Sequence, residues 1–303
     1  MRVIPLRAAA EIALACCWVR WPTSLPETSI RVSAPAKAES RLAGLAKSMT
    51  AVATPKRATD GSRSGRSTSV NANQQLLHRF LTELCGEPAI LVGNSMGGLI
   101  SVLQTAAHPE TVAGIVLIDP ALPVGPRARP DPFVAVMFGL YAVPAVGRNV
   151  VARRRSSLSA EQQALAVLRL CCADSSRVPS HVVEHHLALA RERHDYPDVG
   201  TELIVAARSL MWVLARRRLH AAMLRNIAVP VLLLHGDQDR LVPIAAARAT
   251  AAANPTWSFE VARGVGHVPQ LEVPEWTTGQ TLSWLDNDGA AAAYAASPDS
   301  RRI

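Results

Sequence analysis

Hydrophobic positions change their rhythm near residue 69. From Asn71 to Cys85, Leu76, Leu77, Phe80, Leu81 and Leu84 recur at helical spacing, with Ser69 or Asn71 available as N-cap and Gly86 as a stop. Pro88 to Gly93 contains the unbroken apolar run Ala89-Ile90-Leu91-Val92, which predicts a short strand buried on both faces. A helix over about Met96 to Ala107 follows, closed by Pro109, and Val112 to Ile118 predicts a second buried strand ended by Asp119-Pro120. Residues 121–225 read as mostly helical with proline-marked breaks. Val229 to His235 and Ser258 to Ala262 predict a third and a fourth strand, and Trp276 to Leu285 a closing helix before a frayed tail. Strands that alternate with helices argue for a parallel α/β sheet, here with a helical insert between its second and third strands.

Residues before this pattern belong to a different chemistry. Residues 1–70 contain no Phe, Tyr or His and, apart from Ile12–Val19, no sustained apolar run. They hold 11 Lys and Arg against 4 acids, whereas the remaining chain holds 21 Arg, no Lys and 20 acids. The formal charge of +8 therefore sits almost wholly in the first quarter, and the body is nearly neutral. A neutral body suits small or apolar substrates and argues against nucleic acid as a partner. Arg153-Arg154-Arg155 and Arg216-Arg217-Arg218 lack an aromatic stacking platform and read as exposed surface.

No apolar run approaches the ~18 residues of a spanning helix, so no membrane span is expected. Five cysteines (Cys16, Cys17, Cys85, Cys171, Cys172) give neither a disulfide framework nor a CxxC zinc pair, and a reducing, cytoplasmic location is the expectation. Arg2 and Arg7 precede an apolar stretch ending in Leu14-Ala15-Cys16-Cys17, but Glu11 interrupts it and the small-residue site is poor, which argues against export.

Gly93-Asn94-Ser95-Met96-Gly97 places a serine between a buried strand and a helix. A sharp turn there lifts a hydroxyl above the sheet edge, small neighbours permit the tight backbone, and the helix N-terminus aims its N–H groups at the same spot. Serine is a poor nucleophile until a base removes its proton, and that base needs an orienting acid. Both occur downstream. His235-Gly236-Asp237-Gln238-Asp239 follows the third strand, and Gly264-Val265-Gly266-His267 follows the fourth.

Three such elements in the order Ser, Asp, His resemble the α/β-hydrolase fold superfamily over residues 69–286. The resemblance implies a mostly parallel sheet of the α/β-hydrolase type with a helical cap. The hydrolase core falls on 66–120 and 226–286 and the cap on 121–225, with 1–65 as an atypical basic segment and 287–303 as a tail. It also implies Ser95 as nucleophile, His267 as base, the Met96 N–H as an oxyanion donor and an acyl-enzyme intermediate on an ester-like or other carbonyl substrate. The family's Gly-x-x-Asp pattern falls on Gly236 and Asp239, so Asp239 is the expected acid, with Asp237 a turn residue and Asp119 a weaker alternative. Similar elbows occur in carbon–carbon bond hydrolases, which commonly carry Trp after the histidine; Val268 stands there instead.

His181-Val182-Val183-Glu184-His185 spaces two histidines on one helical face, but nothing nominates a third zinc ligand, and neither metal nor cofactor is expected. The family's three or four strands before the elbow, and the His-Gly loop that supplies a second oxyanion donor, have no counterpart in residues 1–65, since no histidine precedes His78. Without them Ile90–Val92 is expected to form an exposed apolar edge, and a hydrolase relative with impaired turnover is the alternative function. A displaced reading frame or start upstream of Gly65 would explain the compositional break; the alternative is a genuine, divergent or disordered N-terminus. Translating the other two frames of that DNA should yield an apolar strand ending in His-Gly; its absence from both removes this explanation.

Overall fold

A computed structural model of the chain describes residues 67–85, 88–125, 131–194 and 199–287. The expectations for residues 1–65 and for the tail beyond residue 287 lie outside these residues. Helix α1 (Val70–Phe80) starts where Ser69 accepts a hydrogen bond from the Ala72 N–H, and it runs on into a π-helical turn, Leu81–Cys85. Strand β1 (Ala89–Asn94), helix α2 (Met96–Ala107) and strand β2 (Val112–Ile118) follow. Strand β3 (Val231–Gly236), helix α9 (Ile244–Ala253), strand β4 (Ser258–Ala262), the single turn α10 (Pro269–Glu272) and helix α11 (Pro274–Asn287) complete the base.

The four strands lie in the order β1-β2-β3-β4, all parallel. Asn94 pairs with Ile118, Ile118 with Leu234 and Gly236 with Ala262, so the carboxyl ends of all four strands reach one rim. Successive residues point to opposite faces. Ala89, Leu91, Ile115, Leu117, Val231 and Leu233 pack against Leu77, Leu81, Val102, Leu224, Ala246 and Ala247 from the helices on one side. Ile90, Ala113, Val116, Ile118, Leu232 and Leu234 pack against Trp284 and Leu285 of α11 on the other. Apolar layers on both sides explain why these strands are continuously hydrophobic rather than alternating.

Among the described residues β1 pairs only with β2 and ends the sheet, as expected, but its apolar side chains are largely covered. Ile90 is 1% and Leu91 3% exposed, because β1 is packed on one face by α1 and α2 and on the other by the tryptophan-bearing closing helix.

Between β2 and β3 runs an all-helical insertion: α3 (Pro132–Ala142), α4 (Pro144–Ser157), α5 (Ala160–Cys171), α6 (Ser180–His194), α7 (Val199–Ala215) and α8 (Arg217–Arg225). Its boundaries are written in the sequence. Asp131 accepts from the Phe133 and Val134 N–H groups to start α3, and Ser159 with Gln162 forms a capping box on α5. Tyr141, Val151, Ile204 and Ala207 join α3 and α4 to α7. Leu168, Cys171, Cys172, Val178 and Val182 form a second cluster with Val268 and Leu271, which fastens α5 and α6 to the segment after β4. Among the described residues no single helix is long and apolar enough to cross a membrane; α3 and α4 meet that test only as a pair bent by 117°.

His220 on α8 is buried, and neither ring nitrogen has a hydrogen-bond partner. Burial lowers its pKa to about 4. The unfolded chain takes up that proton near the ordinary value of about 6.5, so stability is lost as pH falls from there toward 4. Replacing His220 with Leu should remove about 2 kcal/mol of acid-induced destabilisation at pH 5, read as the change in urea midpoint between pH 8 and pH 5 for the variant against the parent.

Candidate active site

Ser95 stands at the end of β1 with φ 54° and ψ −119°, a conformation that L-residues rarely adopt. The surroundings hold it there. The Ser95 N–H donates to the Ile118 carbonyl (3.0 Å), and the Ser95 carbonyl accepts from the Ala121 (2.9 Å) and Leu99 (3.2 Å) N–H groups. A Cβ on Gly93 would lie 2.6 Å from the backbone of Gly97 and Gly98, so the turn closes only on glycine. Ser95 is also the N-cap of α2, yet its side chain makes no capping bond. The hydroxyl is therefore not spent on the helix, while the first N–H groups of α2, beginning with Met96, face the same rim.

His267 and Asp239 meet from two other strand ends. His267 Nδ1 lies 2.7 Å from Asp239 Oδ2, with both side chains fully buried. The other oxygen, Asp239 Oδ1, accepts from the Leu241 (2.7 Å) and Val242 (3.0 Å) N–H groups, which fixes the carboxylate in its loop. Burial pushes the Asp239 carboxyl up, but the charge and hydrogen bond of His267, helped by His235 and the Val242 N–H, bring it below the ordinary range. A carboxylate that stays ionised beside Nδ1 makes that nitrogen the donor and leaves Nε2 as the ring's basic position.

Asp237, the other acid in this loop, accepts from the Gly264 N–H (2.7 Å) and ties two loops together away from the imidazole. Asp119 is reached from the end of β2 at φ 41°. Its Oδ1 accepts from the Gly236 N–H (2.9 Å) and lies 3.6 Å from His235 Nε2. Burial first, and then the nearby Asp239 charge, hold the Asp119 carboxyl well above the ordinary range.

Sequence reasoning passed over three residues that the structure brings to this rim. Asn94 is 1% exposed, and its Nδ2 donates both to the Ile118 carbonyl and to the His267 carbonyl, each at 3.0 Å. One amide thus links the serine turn, the end of β2 and the histidine loop. His235 donates from Nε2 to the Val242 carbonyl (2.9 Å) beneath Asp239, and burial holds its pKa down. Glu272 is 4% exposed and binds backbone N–H groups in both the histidine loop and the insertion. A buried asparagine immediately before the turn serine was the one signal within reach of the sequence. The Glu272 contacts to Ala173 and Asp174 join segments 99 and 98 residues apart, while the His235 bond to Val242 closes a local loop.

Asp119, His235 and Asp239 are the one group of three potential metal ligands, within 4.8 Å of one another, among the described residues. His235 Nε2 gives its proton to the Val242 carbonyl, and Asp239 Oδ2 already accepts from His267 Nδ1. This is a proton network in its geometry. His181 and His185 are exposed on α6 and belong to no such group. The Cys172 thiol is pushed up to about 12 by burial and by the Glu272 and Asp174 charges, which removes it as a competing nucleophile.

With this geometry the class of the protein follows. The sequence profile of the alpha/beta hydrolase family matches residues 17–279, and the chain belongs to that family. It is 26% identical over 208 residues to the monoacylglycerol lipase abhd6-B of Xenopus laevis, covering 68% of this chain and 58% of that protein. It is 26% identical over 234 residues to the 2-hydroxy-6-oxononadienedioate/2-hydroxy-6-oxononatrienedioate hydrolase 2 of Pseudomonas putida, covering 73% of this chain and 71% of that one. The similarity to the lipase therefore spans less than two thirds of that relative. In fold the chain is similar to a thermophilic esterase from Thermogutta terrifontis, with TM-score 0.55 and 23% identity, over 78% of this chain and 79% of the esterase.

The raised Asp119 value carries a sign. Its stabilisation is full below the ordinary carboxylate pKa of about 3.9 and is lost as pH rises through the folded value. Asp119→Asn, whose amide oxygen can still accept from Gly236, should gain stability relative to the parent as pH rises from 4 to 8. Asp119→Ala strands that buried N–H and should cost about 1–3 kcal/mol, both being read from thermal unfolding across pH.

Proposed function

We propose that the protein is a serine hydrolase acting on an ester-like carbonyl substrate through an acyl-enzyme, with Ser95, His267 and Asp239 as its triad. The observation that carries this reading is the buried 2.7 Å hydrogen bond between His267 Nδ1 and Asp239 Oδ2, beside a serine held at positive φ on the same rim. In the proposed reaction His267 Nε2 takes the Ser95 proton as Oγ adds to the carbonyl carbon. Asp239 holds the imidazole orientation and stabilises its cation. Charge developing on the carbonyl oxygen is met by the Met96 N–H at the start of α2. The imidazolium then gives its proton to the leaving group, and water enters by the same route in reverse to release the acid.

The insertion over residues 121–225 serves as the cap in this reading, and its apolar first helix, Pro132–Ala142, suits an apolar substrate. Relatives include a monoacylglycerol lipase and a hydrolase of a ring-cleavage product. Val268, buried directly after His267, favours the ester-cleaving alternative, because carbon–carbon bond hydrolases with similar elbows commonly carry Trp there.

A fluorophosphonate probe tests the assignment on the full chain. Labelling should fall on Ser95 and disappear in Ser95→Ala and His267→Ala. Turnover of p-nitrophenyl esters should drop at least about 10⁴-fold in either variant. Folded protein that neither labels nor turns over would instead identify a hydrolase relative with an impaired site.

A further inference from the structure

The Glu272 carboxylate sits at the junction of two segments that meet only in the folded chain. Its Oε1 accepts from the Gly266 N–H at 2.7 Å and from the Ala173 N–H at 3.1 Å, and its Oε2 accepts from the Asp174 N–H at 2.9 Å. Gly266 directly precedes His267, whereas Ala173 and Asp174 follow α5 of the insertion. The same junction is reinforced beside the carboxylate. The His267 N–H donates to the Cys171 carbonyl at 2.6 Å, and a Cβ on Gly266 would lie 2.3 Å from that oxygen and 2.6 Å from the Ala173 nitrogen. Buried carboxylates are costly unless their lone pairs are answered. Here three backbone donors from two segments answer one, and Val268 and Leu271 pack with Cys171, Cys172 and Val182 around them.

We propose that Glu272 is a positioning residue for His267: it clamps the histidine loop and the 171–174 segment of the helical insertion into one unit, so that the insertion and the imidazole keep a fixed relation. This inference rests on the hydrolase reading for its kinetic consequence, but its structural content stands apart from it. The hydrogen bonds of Glu272 go to the backbone N–H groups of Gly266, Ala173 and Asp174. It acts by holding the backbone on either side of the junction, and misplacement of a catalytic group by about 1 Å is enough to lower turnover by about 100-fold.

The chemistry of the clamp separates two replacements. Glu272→Ala removes all three acceptor contacts. Glu272→Gln keeps an amide oxygen that can accept from Gly266 and Ala173 but turns a donor toward the Asp174 N–H, so it preserves the loop side and weakens the insertion side. The two variants also share the loss of negative charge, so a difference between them reports position rather than charge.

The test uses the full chain, p-nitrophenyl butyrate as substrate and fluorophosphonate titration to count competent sites. Glu272→Ala should lower kcat per titrated site by about 100-fold with KM changed less than about threefold, and Glu272→Gln should recover to within about tenfold of the parent. Amide hydrogen exchange should show segments 171–174 and 264–268 losing protection together in Glu272→Ala, by about tenfold or more, and less in Glu272→Gln. The proposal is overturned if kcat per titrated site in Glu272→Ala stays within about threefold of the parent, if Gln behaves like Ala, or if only one segment loses protection. Should Ser95 fail to label in the parent protein, the hydrolase reading falls and the exchange comparison alone decides the clamp. Should Glu272→Ala fail to fold, the Glu272→Gln comparison decides it.

Discussion

An imidazole and a carboxylate, both sealed from water, hold each other through one hydrogen bond between His267 and Asp239, and much of the surrounding architecture exists to make that pairing tolerable. A charged carboxylate at such depth would be expelled or neutralised without donors. Asp239 has three: the ring and the N–H groups of Leu241 and Val242. The neighbouring Asp119 shows the other outcome in the same site, since burial and the Asp239 charge push its carboxyl up and the Gly236 N–H offsets them only in part. Two buried acids side by side are thus shifted in opposite directions by the charges and hydrogen bonds around them.

Parallel strand order is what brings these groups within reach. In a parallel sheet every strand delivers its chain to the same rim, and the loops there can be specialised without disturbing the core. Ser95, Asp119, Asp239 and His267 each leave one of the four strands at that rim. The core beneath is apolar on both faces, so the rim is where polar chemistry can be accommodated at low cost. Asn94 then fixes the spacing between the serine turn and the histidine loop through two backbone carbonyls.

The insertion is attached differently from the strands. It is bound to the base through apolar clusters that join α5 and α6 to the histidine loop, α7 to α1 and α2, and α8 to the sheet, and through backbone donors gathered by Glu272. A second tie, Arg240 to Asp131 at 2.8 Å, joins the acid loop to the start of α3, but it is partly exposed and its contribution to stability is small. The buried junction near His267 is the part of this attachment that reaches the histidine loop.

Much of this was legible in the residues themselves. The four strands were marked by apolar runs of Ile, Leu and Val, because a strand buried on both faces needs hydrophobic side chains at every position. The serine turn was marked by glycines, because the close backbone contact at Gly93 admits no Cβ. The loops bearing Asp239 and His267 were marked by strand ends and by glycine-flanked polar residues. What the sequence did not reveal was the partner of each buried polar group. Asn94 and Glu272 make contacts with residues up to 173 positions away, and such contacts leave no local periodicity. What covers β1 was hidden for the same reason: Trp284 and Leu285 of α11, nearly two hundred residues later, belong to the cluster around Ile90. Local pattern determined which elements form; only their packing decided which acid meets the histidine, which acid has its pKa raised and what holds the insertion in place.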